Sequence, residues 1–285
     1  GAPDVVMRRD IPAEGATVAF EAVPAGLYLA CLEGSPATCR RTGVGDVFLV
    51  AGQSNAVSPI TFGPPMASRT GLVAVTLHHG DDDAHAGVEP DIDTMFFPSV
   101  QTPARAGACW IRLGDMLAKT GVPVGFVIVA RSATNSDCWN PGGGACWPLL
   151  ARALAARKYR AVLWHQGESD ALGHFPMEKS LANLTALVAA SREIAPGIPW
   201  IVAHNSLKND IPYAEQPVRQ AQVALVGKGL ACAGPDTDTM RRHADWVGAA
   251  DFGGAGLAAH GEKWFPAVRA FLDSGTCVHS FPGVW

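Results

Sequence analysis

The run Val47-Phe48-Leu49-Val50-Ala51, followed at once by Gly52-Gln53-Ser54-Asn55, constrains this chain more than any other stretch. Five apolar residues without polar alternation describe a strand buried on both faces, the kind found inside a parallel sheet. Gly52 lets the backbone turn sharply, and the small polar residues after it leave N–H groups free to face an anion beside Ser54 Oγ. Ser54 is therefore a candidate nucleophile. Ser and Asn also serve well as helix N-caps, and these residues alone do not choose between the two roles.

A second stretch repeats the design. Ala161-Val162-Leu163-Trp164-His165 leads into Gln166-Gly167-Glu168-Ser169-Asp170, again an apolar strand and then a polar turn built around Gly. Ligands of open parallel sheets bind outside the carboxyl ends of the strands, so both turns are expected at one edge. Further strands are predicted at 72–77, 122–130 and 199–203. Helices are predicted at 110–120, where Trp110, Leu113 and Leu117 share a face and Gly121 is the stop, at 148–157, and through Leu181, Leu184, Leu187, Val188 and Ile194. Strands alternating with helices give a three-layer α/β/α domain with a mostly parallel sheet. Residues 16–31 read as two β segments joined at Pro24-Ala25-Gly26. We expect 1–43 to pack on a catalytic body spanning 44–285.

At 285 residues one α/β domain is ordinary, and a net charge of -4 without a basic run argues against nucleic acid as a partner. No apolar run approaches the ~20 residues of a membrane-spanning helix. Seven cysteines contain no Cys-x-x-Cys pair, which argues against a structural zinc site. Cys31 with Cys39 and Cys138 with Cys146 each bracket a short loop, Cys232 with Cys277 is the natural third pair, and Cys109 is left free. Loop-bracketing cysteines favour an oxidising compartment, periplasm or exterior. The run His78-His79-Gly80-Asp81-Asp82-Asp83-Ala84-His85 offers metal-ligand types, but its spacing matches no ligand motif and a solvated loop is the better reading. Asp91, Phe96 and Phe97 in the same segment are candidate substrate contacts.

The Gly-Gln-Ser-Asn turn and the Trp-His-Gln-Gly-Glu turn together resemble the SGNH hydrolases, and within them the sialate O-acetylesterase-like carbohydrate esterases. Val44-Gly45-Asp46 fits the same pattern, and the resemblance runs from about residue 44 to the last helix. It implies a flavodoxin-like SGNH fold and a serine esterase that removes O-acetyl groups from a carbohydrate, with no metal or organic cofactor. Ser54 is the implied nucleophile and the Gln166 amide the implied side-chain donor of an oxyanion hole. Gly52, Gln53, Asn55 and Glu168 are implied to line the substrate or orient the turns, while His165 is read as structural. Relatives carry a Gly-Gly-Thr/Ser turn where this chain has Arg131-Ser132-Ala133-Thr134, so the N–H near Ser132 is the implied backbone donor.

The chain departs from the family at its third block. An Asp-x-x-His pair normally precedes the last helix, and alignment on Phe252 puts Gly248 and Asp251 at those positions. Three residues are candidates for the base that serine chemistry needs. His243 lies in the same loop, with Asp245 or Glu168 to orient it. His260 falls near the apolar stripe of the final helix, where a core histidine is the expected role. Asp251 itself is the third, although an ordinary carboxylate is a weak base for serine. Trp139, Trp147 and Trp246 lie by the motif loops and are candidates to stack on sugar rings or to fill loop cores. The missing pair keeps two other functions open: a carbohydrate-binding protein on a decayed esterase site, and a sugar O-acetyltransferase.

Overall fold

The computed structural model describes residues 6–10, 18–58, 66–79, 108–205, 216–240, 245–248 and 250–281. An antiparallel hairpin of β1 (Gly26–Leu32) and β2 (Ser35–Val44) comes first. Strands β3 (Asp46–Gly52), β4 (Val73–His79), β5 (Val124–Ala130), β6 (Val162–His165), β7 (Trp200–His204) and β8 (Cys232–Asp236) then form one parallel sheet in the order β4-β5-β3-β6-β7-β8. The strand that ends at Ser54 thus lies between the two whose exits carry Ser132 and Gln166.

Side chains alternate across β3, and both faces are dry. Phe48 and Val50 join Phe126, Ile128, Leu163 and Ile201 in one core beneath α2 (Ala108–Leu117) and α7 (Ala255–Ser274), which contribute Trp110 and Trp264. Leu49 and Ala51 join Val127, Val129, Trp164 and Val202 in the other, beneath α3 (Trp147–Ala156), α5 (Met177–Ile194) and α6 (Gln216–Gly227). This is the three-layer α/β/α arrangement, and it explains why β3 reads as a continuous apolar run rather than an alternating one. The predicted helix at 110–120 runs as α2 and a 3₁₀ turn that Gly121 closes at φ 85° with its N–H on Ala118 O.

The N-terminal prediction needs correcting. The hairpin turn lies at Glu33-Gly34, not at Pro24-Gly26, and residues 18–25 form no strand. Leu27, Leu29 and Leu32 are exposed, so β1 does not bury an apolar face in the body. What closes the hairpin is the Cys31–Cys39 disulfide. Cys138–Cys146 and Cys232–Cys277 are also bonded, and Cys109 is a free, buried thiol, as the loop-bracketing pattern suggested. Among the described residues no helix is long and apolar enough to cross a membrane, and no cluster of metal-ligating side chains occurs. Residues 80–85, Asp91, Phe96 and Phe97 lie outside the described residues.

Candidate active site

Gly52 pairs in register with Ala130 of β5 on one side and His165 of β6 on the other. Its φ is +133°, and a Cβ there would sit 2.0 Å from the His165 carbonyl oxygen, so only glycine lets β3 and β6 meet this closely at their carboxyl ends. Gln53 N–H then donates to that same carbonyl at 3.0 Å. Ser54 starts the short helix α1 (Ser54–Val57), whose N-cap is Gln53 with no side-chain cap bond. Capping is therefore not what the serine side chain does.

The polar side chains around Ser54 are spent on joining the turns. Gln53 Oε1 accepts from Gly167 N at 3.3 Å and Ser169 N at 3.0 Å, stitching the first motif to the second at the start of α4 (Glu168–Leu172). Asn55 Nδ2 donates to Glu168 Oε1 at 3.1 Å and to Ala250 O at 2.8 Å, while its Oδ1 accepts from Phe252 N at 3.0 Å. Gln53, Asn55 and Glu168 are nearly or fully buried. These bonds tie Gln53 Oε1, both ends of the Asn55 amide and Glu168 Oε1 into the scaffold that joins the turns. The two Asn55 bonds to the segment containing β10 (Asp251–Phe252), which pairs with β9 (Trp246–Val247), grip the peptide groups either side of Asp251 and fasten it beside Ser54.

Behind Glu168 lies a buried imidazole pair. Trp264 Nε1–H donates to His260 Nε2 at 3.0 Å, and an indole can only donate. His260 Nε2 therefore accepts, and His165 Nδ1, 3.0 Å away, carries a hydrogen toward it. His165 Nε2 faces Glu168 Oε1 at 2.9 Å, so one proton lies between imidazole and carboxylate. His260 is fully buried, and burial, then the neighbouring His165, pushes its pKa well below the ordinary imidazole value. Its coordinating lone pair is already engaged, which makes it a core histidine and removes it from the candidate bases. His243 lies outside the described residues.

The second turn is held from below by residues that the sequence reading did not single out. Gln166 Nε2 donates to Asp170 Oδ1 at 2.7 Å, and the same oxygen accepts Ser136 N at 2.7 Å. Gln222 on α6 donates to Gln166 O at 3.0 Å and accepts Asn205 N at 3.0 Å. Arg219, one turn earlier, forks onto Asp236, reaches His204 Nδ1 at 2.9 Å and bonds Asn205 O. Burial lowers the His204 pKa, opposed by the Asp236 carboxylate 3.6 Å from its Nδ1. Only the i,i+4 spacing of Gln166 and Asp170 hinted at any of this.

At the exit of β5, Arg131 N donates to Gly52 O at 3.0 Å, so the Ser132 turn starts directly beside Ser54. Ala133 adopts φ 56°, the left-handed conformation that glycine takes freely and that alanine takes at a cost. Thr134 Oγ1 donates to Arg131 O at 2.7 Å and accepts Trp139 Nε1 at 3.0 Å. Trp139 is fully buried, its ring 5.7 Å edge-on to Trp164. A ring with no exposed face and a committed N–H cannot stack on sugar, which corrects the expectation for Trp139. Trp246 is likewise buried with its N–H on Met240 O.

Residues 44–243 match the family described as carbohydrate esterase, sialic acid-specific acetylesterase. The chain belongs to that family. The match covers the turns of Ser54, Ser132 and Gln166 and stops before the segment that carries Asp251. A probable carbohydrate esterase of Arabidopsis thaliana is 26% identical over 175 residues, 59% of this chain and 65% of the plant protein. The chain thus matches just under two thirds of that relative's length. An X-ray structure of the same plant protein superposes with a TM-score of 0.57 at 15% identity, covering 81% of this chain and 98% of the other. A carbohydrate acetylesterase from Xanthomonas citri gives a TM-score of 0.61 at 14% identity, covering 85% of this chain and 60% of the other. At such identities the two structures speak for the shared fold.

Proposed function

We propose that this member of the family is a serine esterase that removes O-acetyl groups from a carbohydrate. Ser54 Oγ attacks the acetyl carbonyl, the sugar hydroxyl leaves, and water releases acetate from the acyl-enzyme. The oxyanion is held by the Ser54 N–H, the N–H at the Ser132 turn and the Gln166 Nε2–H, three neutral donors at the carboxyl ends of adjacent strands. No cofactor is needed for this chemistry. The observation that supports the reading is the register of Gly52, just before Ser54, with Ala130 and His165, the last residues of β5 and β6 before the Ser132 and Gln166 turns.

The base is drawn from Asp251 and His243. Asp251 has the support of Asn55, which fastens the peptide groups on both sides of it next to α1. A secreted or periplasmic location accords with three disulfides, since such bonds persist in oxidising compartments. The reading is tested by quenching turnover with an acetylated ester and mapping the adduct by mass spectrometry. Acetyl on the peptide containing Ser54 supports it. Acetate release with no such adduct, including under slowed deacylation, removes the acyl-enzyme. Acetyl transfer to an added sugar that outruns hydrolysis makes the protein a transferase instead.

A further inference from the structure

Asp170 sits at 1% exposure on α4 with no part in the reaction just described, yet it bonds the Gln166 side chain, the loop that follows the Ser132 turn and α5. Its Oδ1 accepts Gln166 Nε2 at 2.7 Å and Ser136 N at 2.7 Å, and its Oδ2 accepts Ser180 Oγ on α5 at 3.3 Å. A carboxamide has two ends of nearly equal shape, and only the NH₂ end can stabilise an oxyanion. An acceptor oxygen facing the Gln166 amide decides which end is which. Turning the amide over would set Gln166 Oε1 against Asp170 Oδ1, two oxygens without a hydrogen between them.

We propose that Asp170 is the positioning residue of the oxyanion hole, fixing the rotamer end of Gln166 so that its second Nε2 hydrogen points at the substrate oxygen. The same carboxylate oxygen holds Ser136 N, and Ser136 follows the Ser132 turn by four residues. One atom thereby sets both the side-chain limb and the loop of the backbone limb. Ser136 is held a second time, its Oγ accepting Asn183 Nδ2 at 3.0 Å, and Asn183 also donates to Asp137 at 2.8 Å. The loop is closed beyond that by Cys138–Cys146. The Asp170 carboxyl thus faces Gln166, Ser136 and Ser180, all of them hydrogen donors.

This inference rests on Gln166 acting as an oxyanion donor, and a double-mutant cycle separates the two claims. The enzyme, Gln166→Ala, Asp170→Ala and the double variant are compared for kcat and KM on an acetyl ester, with circular dichroism and thermal unfolding as folding controls. Loss of one oxyanion donor is worth roughly 100-fold or more in kcat. Asp170→Ala is expected to lower kcat about 10- to 100-fold with KM within about threefold, and to add less than about twofold in the Gln166→Ala background. If Gln166→Ala leaves kcat unchanged, the oxyanion reading fails. If Gln166→Ala is impaired but the Asp170 loss multiplies with it in full, Asp170 acts independently of Gln166 and the positioning claim fails.

Asp170→Asn covers the case in which the alanine variant does not fold. An Asn carbonyl in place of Oδ1 still accepts both N–H groups, and its NH₂ donates to Ser180 Oγ, which accepts as well as donates. Activity within about fivefold of the parent is expected, together with a preserved Gln166 side-chain amide resonance, assigned by its loss in Gln166→Ala. A folded Asp170→Asn protein that is inactive while that resonance is unmoved would assign Asp170 a direct proton-transfer role and overturn the proposal.

Discussion

Asn55→Ala is the substitution whose cost the structure defines most closely. Three partners lose their bond at once: the buried Glu168 Oε1, the part-buried Ala250 carbonyl and the buried Phe252 N–H, at 3.1, 2.8 and 3.0 Å. A buried polar group left without a partner costs about 1–3 kcal/mol. Glu168 Oε1 keeps His165 Nε2 at 2.9 Å, so its share falls at the low end. The two backbone groups belong to the β10 segment, and with their shares the sum is roughly 3–5 kcal/mol. Urea unfolding followed by tryptophan fluorescence measures it as a fall in midpoint at unchanged slope. Asn55→Asp is expected to be no better. A carboxylate cannot donate to Glu168 or Ala250, and it adds a charge beside an existing one. A loss below about 1 kcal/mol for Asn55→Ala, or rescue by Asn55→Asp, would refute the assignment of Asn55 as the clasp on the Asp251 segment.

Trp139→Ala is expected to cost about 3–5 kcal/mol of stability, as for other large-to-small core changes, with KM for substrate unaltered in whatever protein still folds. A selective rise in KM at full stability would return Trp139 to the sugar site. Burial pushes the pKa of His260 well below the ordinary value of 6.5 and lowers that of His204 as well. Below pH 6.5 the unfolded chain takes up protons that the folded chain refuses, so stability is full above that pH and is lost as pH falls, at up to about 1.4 kcal/mol per unit for each such histidine. Asp170 works with the opposite sign: burial raises its carboxyl pKa above the ordinary carboxylate value of 3.8, so the folded state binds a proton more readily than the unfolded chain and this contribution is lost as pH rises. Urea denaturation across pH 5–7 is expected to show the histidine slope, and His260→Phe to reduce it. Parallel slopes in the two proteins would contradict a neutral, buried His260.

What the sequence disclosed followed from how each feature is encoded. The strands β3, β5 and β6 were legible because burial on both faces leaves an unbroken apolar run, and Ser54 and Gln166 because each follows such a run at a glycine-centred turn. β8 escaped notice because Cys232-Ala233-Gly234-Pro235-Asp236 carries both residues that weaken a strand. It is tolerated because it lies at the sheet edge, where a proline has no ladder bond to break. The hairpin was misplaced because Pro24-Ala25-Gly26 is a stronger turn signal than Glu33-Gly34, and it was the cysteine spacing that held the better information. Around the site, residue type was a good guide to chemistry and a poor guide to direction. Gln53, Asn55 and Glu168 were read as lining the substrate or orienting the turns, and their bonds join the turns across more than a hundred residues of chain, Asn55 to Glu168 and Gln53 to the backbone of Gly167 and Ser169. Asp170 was invisible for the same reason, since its three donors come from three separate elements.

The central claim is that Ser54 is the nucleophile of an acetylesterase. Acetate release from p-nitrophenyl acetate and from a panel of acetylated glycans, wild-type against Ser54→Ala, tests it most directly. The account predicts release well above background on at least one acetylated glycan and its collapse in the variant. Equal release by the two proteins, or two equally inert proteins that nonetheless bind the glycan, would contradict it.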